Sequence, residues 1–222
     1  MANKATKQHP SRGKAASRPR KRSKAPYHHG DLHEALLKAA ERVLERDGLA
    51  GLTLRAAARE AGVSHAAPAH HFGDVTGLLS ELAAVGFRRF AASLRAAAAK
   101  AVPAQGDARL LAIGMAYVAF AREYPGLFML MFRGDRLDIR RPALEKALQE
   151  SNMALASAIG ELRNEAVIPE RPTVAQAAQM VRSWSMVHGF ATLLLDRRLD
   201  GLLALLPETS ADDLLSAMLN AD

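Results

Sequence analysis

From Asp31 onward, apolar residues recur every three or four positions. Leu36, Ala40, Val43 and Leu44 lie along one side of a segment whose other sides carry Glu34, Lys38, Glu41, Arg42 and Glu45, the pattern of an amphipathic helix. Asp31 and Glu34 stand at capping-box spacing and predict its start, and Gly48 predicts its end. Thr53 is placed to cap a short second helix running to Glu60, Gly62 can turn the chain with positive φ, and Ser64 can cap a third helix. Counted from Ser64, Pro68 takes the fourth helical position, where one backbone hydrogen bond is lost. Asp74 opens a longer helix in which Leu79, Ala83, Phe87, Phe90 and Leu94 form one buried stripe that fades near Lys100. Beyond a break at 103–107, helices are expected at 107–123, 125–133, 141–166, 172–196 and 211–220, with Pro125, Pro142 and Pro172 each suited to a first turn.

Nothing alternates with the period of a strand, and no internal repeat is visible. Alanine and leucine dominate while β-branched residues are sparse, so the fold class read from the chain is all-α. Cysteine is absent, which removes disulfides, thiolate metal sites and cysteine nucleophiles. The longest apolar run, Leu110 to Ala121, is bounded by Arg109 and Arg122 and is too short to span a membrane, so it reads as a core helix. The basic N-terminus is followed by no apolar stretch of the kind a signal peptide needs, and a cytoplasmic location is expected.

Charge divides the chain. Nine lysines and arginines precede Pro26 with no acid among them; subtracting them from the net charge of +7 leaves about −2 for the remainder. Residues 1–26 therefore read as a disordered basic arm attracted to polyanions. A solubilising tail or a membrane-surface patch would have the same composition, and position decides in favour of nucleic acid.

The segment that follows the first helix, TLRAAAREAGVSHAAPAHHF from Thr53 to Phe72, has helix-turn-helix spacing. In such a unit the first short helix crosses the DNA backbone and braces the second, whose exposed N-terminal side chains enter the major groove. Ala57, Ala58 and Ala61 permit the close crossing, and Leu54 and Val63 are the expected apolar pins. Residues 31 to 82 closely resemble the DNA-binding domain of the TetR family of transcriptional regulators. The resemblance rests on TLR, AREAGVS and HHF in order, then GLL opening helix four.

That resemblance implies a three-helix helix-turn-helix domain over 27–75, followed over 76–222 by a larger antiparallel helical domain for ligand binding and dimerisation. It implies phosphate contacts from Thr53 and Arg55, with Ser64 capping the reading helix. His65, Ala66, Pro68, Ala69, His70 and His71 would face the groove, His65 and His70 as base readers, and Thr76 would lie on the DNA side of helix four. Ala69 stands where a phosphate-binding tyrosine is common, and Val75 where a lysine usually begins helix four. Between Tyr27 and Asp74 there are five lysines and arginines against seven acids, so the basic arm is the expected source of the counterion-release term. It could reach along the adjacent minor groove.

Six of the eight histidines fall between His28 and His71. Zinc needs ligands converging at about 2 Å, whereas adjacent residues such as His70 and His71 diverge on a helix, so DNA or solvent contact explains them better and no metal is expected.

The C-terminal half is rich in bulky apolar residues, as in GMAYVAFAREYPGLFMLMF. A packed core and a pocket lining are equally compatible with that stretch. Met115, Phe120, Tyr124, Phe128, Met131 and Phe132 are the candidate ligand contacts. Trp184 and His188, four apart in WSMVHG, are neighbours on one helical face, as packing anchors or as ligand contacts. This half resembles, more loosely, the WHG-type C-terminal domain of some TetR-family regulators. The resemblance implies a homodimer through 172–196 and 211–220, an inverted-repeat operator in double-stranded DNA and a small-molecule effector. LLLDRRLDGLLALL is apolar enough to need covering. No phosphate loop, nucleophile elbow or metal-ligand spacing is present, so neither enzymatic activity nor a cofactor is expected. The competing reading is an architectural DNA binder led by its arm, without sequence preference or effector.

Overall fold

The computed structural model describes Met1 and residues 29–101, 106–163 and 171–221. The basic arm after Met1 lies outside them, as do the break near Pro103 and the last residues of the helix expected at 141–166. Every regular element among the described residues is helical: α1 (His29–Gly51), α2 (Leu54–Ala61), α3 (Ala67–Phe72), α4 (Val75–Lys100), α5 (Gly106–Glu123), α6 (Pro125–Met131), a 3-10 turn at Gly134–Arg136, α7 (Pro142–Arg163), α8 (Val174–Leu195), α9 (Asp200–Leu203) and α10 (Ala211–Leu219).

The apolar stripes read from the sequence are the buried ones. Leu36, Ala40, Val43 and Leu44 of α1 are buried, and so are Leu79, Ala83, Phe87, Phe90 and Leu94 of α4. α4 also buries Leu78, Leu82 and Ala84, because α1, α5, α6 and α7 all pack around it.

The boundaries differ from expectation where a side chain finds another partner. Asp31 lies within the first turn of α1 instead of capping it, and Glu34 pairs with Lys38 at 2.6 Å instead of closing a capping box. Gly48 kinks α1 at φ 69° without ending it. Pro172 precedes the N-cap of α8, which is Thr173 in a reciprocal capping box with Gln176. The 3-10 turn and α9 were not expected.

Candidate nucleic-acid interface

Thr53 is extended and its hydroxyl accepts from the Ala56 amide at 3.1 Å, capping α2. Gly62 ends that helix at φ 68°, with its own amide donating to Arg59 and the Val63 amide donating to Ala58, the paired bonds of a Schellman motif. Leu54 and Val63 pack on the core as expected.

The third helix departs from the sequence reading. It starts at Ala67, with Ala66 in the N-cap position and no side-chain cap. Ser64 does not cap it; its carbonyl accepts from the Ala67 amide at 3.1 Å in a tight turn. Pro68 is thus in the first turn, where helix amides have no intrahelical acceptor, and it sacrifices no backbone hydrogen bond.

The helix is sharply sided. Pro68 and Phe72 are buried, while His65, Ala66, Ala69 and His70 are exposed. Pro68 therefore belongs to the bracing face and not to the groove face. His71 is half-buried, its ring 5.8 Å from that of the exposed His70, 6.0 Å from His33 of α1 and 6.2 Å from Phe72.

Thr53 and Arg55 are exposed at the N-terminal turn of α2, where unpaired amides and the helix dipole favour an anion. Thr76 is half-buried in the first turn of α4, and its carbonyl accepts from Ser80 Oγ at 2.7 Å. The other cations of the region are largely committed: Arg42 and Arg46 both bind Glu60, at 2.8 and 3.0 Å, and Arg46 also binds Asp47. Hydrogen bonds from Arg42 and Arg46 hold the Glu60 carboxyl below its ordinary range, so the acid stays charged. Arg55 and Arg59 have no ion pair among the described residues.

Behind this unit lies a continuous layer of rings. Phe120 and Tyr124 are 5.1 Å apart between centroids, Phe128 and Phe132 5.0 Å, and Phe132 and His188 4.5 Å, with Trp184 6.0 Å from His188. Tyr117, absent from the candidate residues read from the sequence, joins the two ends. It lies 4.9 Å from Phe90 and 5.8 Å from Phe128, accepts from Trp184 Nε1 at 3.2 Å and lies 2.9 Å from His188 Nδ1. Burial pushes the Tyr117 phenol far up in pKa, so it keeps its proton while accepting from Trp184 and sharing a hydrogen bond with His188 Nδ1. Met131 packs against Gly86, where an added Cβ would sit 2.7 Å from its sulfur. Met115 is partly buried against the core without a place in the ring layer.

The sequence matches the family model for bacterial regulatory proteins of the tetR family over residues 36–82, and that for the tetracyclin repressor-like C-terminal domain over 110–218. The chain belongs to the TetR family.

The fold similarity runs along most of the chain. A protein of unknown function from Rhodococcus sp. RHA1 is 34% identical, with a TM-score of 0.68 over 89% of this chain and 96% of that one. The TetR-family transcriptional regulator PfmR from Thermus thermophilus superposes with a TM-score of 0.55 at 19% identity, over 83% and 94% of the two chains. A TetR-family transcription regulator from Marinobacter aquaeolei VT8 gives 0.59 at 15% identity, over 84% and 92%. No curated protein compared with the sequence matches it. The chain is thus a DNA-binding transcriptional regulator by family, with an N-terminal helix-turn-helix joined to a larger helical C-terminal domain.

Two signals could have found Tyr117 in the sequence. It precedes Phe120 by three residues and Tyr124 by seven, on one helical stripe, and a tyrosine at a core position needs a partner for its hydroxyl.

Proposed function

We propose that the protein is a homodimeric repressor, acting in the cytoplasm, that leaves an inverted-repeat operator when a small, largely apolar effector binds its helical domain. The observation that carries the DNA-reading half is the sidedness at α3: His65 and Ala66 just before it and Ala69 and His70 within it are exposed, while Pro68 and Phe72 are buried. His65 and His70 are the base readers, and Thr53 and Arg55 bind phosphates beside them. The unit that reads DNA is 27–75, and 76–222 binds the effector and the partner subunit.

Support for the effector half comes from the ring layer. Phe120, Phe128, Phe132, Trp184 and His188 belong there to one set of ring-to-ring contacts, a setting for an apolar molecule. His188 supplies a polar handle, since its Nδ1 is taken by Tyr117 and Nε2 is left for the effector. For the dimer, α8 presents an apolar outer side: Val174 is 88% exposed and Val181 and Leu193 are exposed too, and Leu205 beyond α9 is 76% exposed. A second copy covering this surface would place two reading helices on one side of the DNA, so half-sites should repeat with inverted symmetry.

Selection of bound sites from a random DNA pool tests the reading. An inverted repeat should emerge, and His65→Ala or His70→Ala should blur base preference at defined positions, by about 1–3 kcal/mol per base, without unfolding the protein. A pool that stays random would favour an architectural binder. Preference retained by both variants would remove the two histidines as readers.

A further inference from the structure

The reading helix has six residues, too few to hold its own conformation, so its direction is set by what grips its ends. The Gly62 turn grips the start. At the finish, Phe72 is its last residue, with a buried ring and a backbone carbonyl among those that no later turn of the helix satisfies. Nη1 of Arg141, from the turn before α7, donates to that carbonyl across 3.4 Å. The same guanidinium donates through Nε to Glu81 of α4 at 2.8 Å.

The turn that carries Arg141 is itself fastened to α4. The Asp138 amide donates to Ser80 Oγ at 2.8 Å, and the fully buried Ser80 hydroxyl in turn donates a hydrogen bond to the Thr76 carbonyl. Gly77 makes the approach possible, because a Cβ there would fall 2.0 Å from the Phe72 oxygen and 2.7 Å from Arg141 Nη1. Glu81 and Arg141 are both mostly covered, with side-chain exposures of 17% and 24%, so solvent screens this pair less than the surface pairs of α1. Within α3 the exposed residues are Ala69 and His70, so the Phe72 carbonyl that Arg141 meets is two residues beyond an exposed histidine.

We infer that Arg141 is a positioning residue for sequence reading, a clamp from the helical domain that fixes the C-terminal end of the reading helix to α4. The inference rests on the DNA-reading function proposed above. The segment that carries Arg141 is joined to α6 through the 3-10 turn Gly134–Arg136, so the clamp also links α3 to the helix that carries Phe128 and Met131.

The full-length protein tests this with three variants, measured on a site selected by the wild type and on a scrambled duplex. Arg141→Ala is expected to lose about tenfold on the selected site, the effect of one charge-assisted hydrogen bond. Binding to the scrambled duplex and the salt slope should stay as they were, and tolerance for altered half-site spacing should widen. Arg141→Lys, which keeps the charge but loses the fork that reaches two acceptors, should fall between. Glu81→Gln should move the same way, and it carries the test if Arg141→Ala does not fold. An unchanged ratio of selected to scrambled binding in the folded variants overturns the proposal. So does a salt slope reduced by about one, which would make Arg141 a phosphate contact. If the wild type selects no site at all, the reading function fails first and takes the clamp with it.

Discussion

At His188 two demands meet in one ring. Burial lowers its pKa from the usual 6.5, so the unfolded chain takes up this proton at a higher pH than the folded one. The stability contribution is therefore complete above the unfolded value and is lost as pH falls through it toward the lowered folded value. Between about pH 7.5 and about pH 5, the wild type should lose more thermal stability than His188→Gln, which has nothing to titrate there. Equal losses in the two proteins would show that His188 is not held neutral by its surroundings. The ring itself was legible in the sequence, as a neighbour of Trp184 one turn away. Its hydrogen-bond partner was not, since Tyr117 is 71 positions distant and only helix packing brings the pair together.

Among the elements, the long helices were readable because their apolar periodicity is what the core buries. The short one was misplaced. Ser64 has the chemistry of a cap, yet its carbonyl closes a turn onto Ala67, and Pro68 tolerates a helix start just before it because it needs no amide partner there. Local preference could not separate these two ways of beginning α3. The junction before it is better determined: Gly62 sits at φ 68° with open space where a Cβ would go, so an alanine there meets backbone strain and no collision. Gly62→Ala should cost about 1 kcal/mol, seen as a lower denaturation midpoint with an unchanged slope. A cost near zero would mean that the turn relaxes out of the left-handed region.

Across the whole molecule, the contacts between helices far apart in the chain were invisible to sequence reading. Glu45 of α1 accepts from the Leu127 amide of α6, and Arg89 of α4 forms a two-pronged pair with Glu41 of α1 while lying 5.7 Å from the Tyr124 ring centre. Such pairs depend on docking, which periodicity does not encode. Charge distribution, by contrast, was legible, and it sets the last prediction. Deleting residues 1–24 removes nine cations, so binding to all DNA should weaken and its salt dependence flatten while site preference persists. An unchanged salt slope would exclude the arm from the complex. The pairing of Arg42 and Arg46 with Glu60 has a kinetic corollary. With those cations neutralised at home, the folded reader exerts little long-range pull on a duplex. Encounter rates would then follow the arm and fall steeply with ionic strength, while the dwell time on a chosen operator would follow the fit of α3 in its groove.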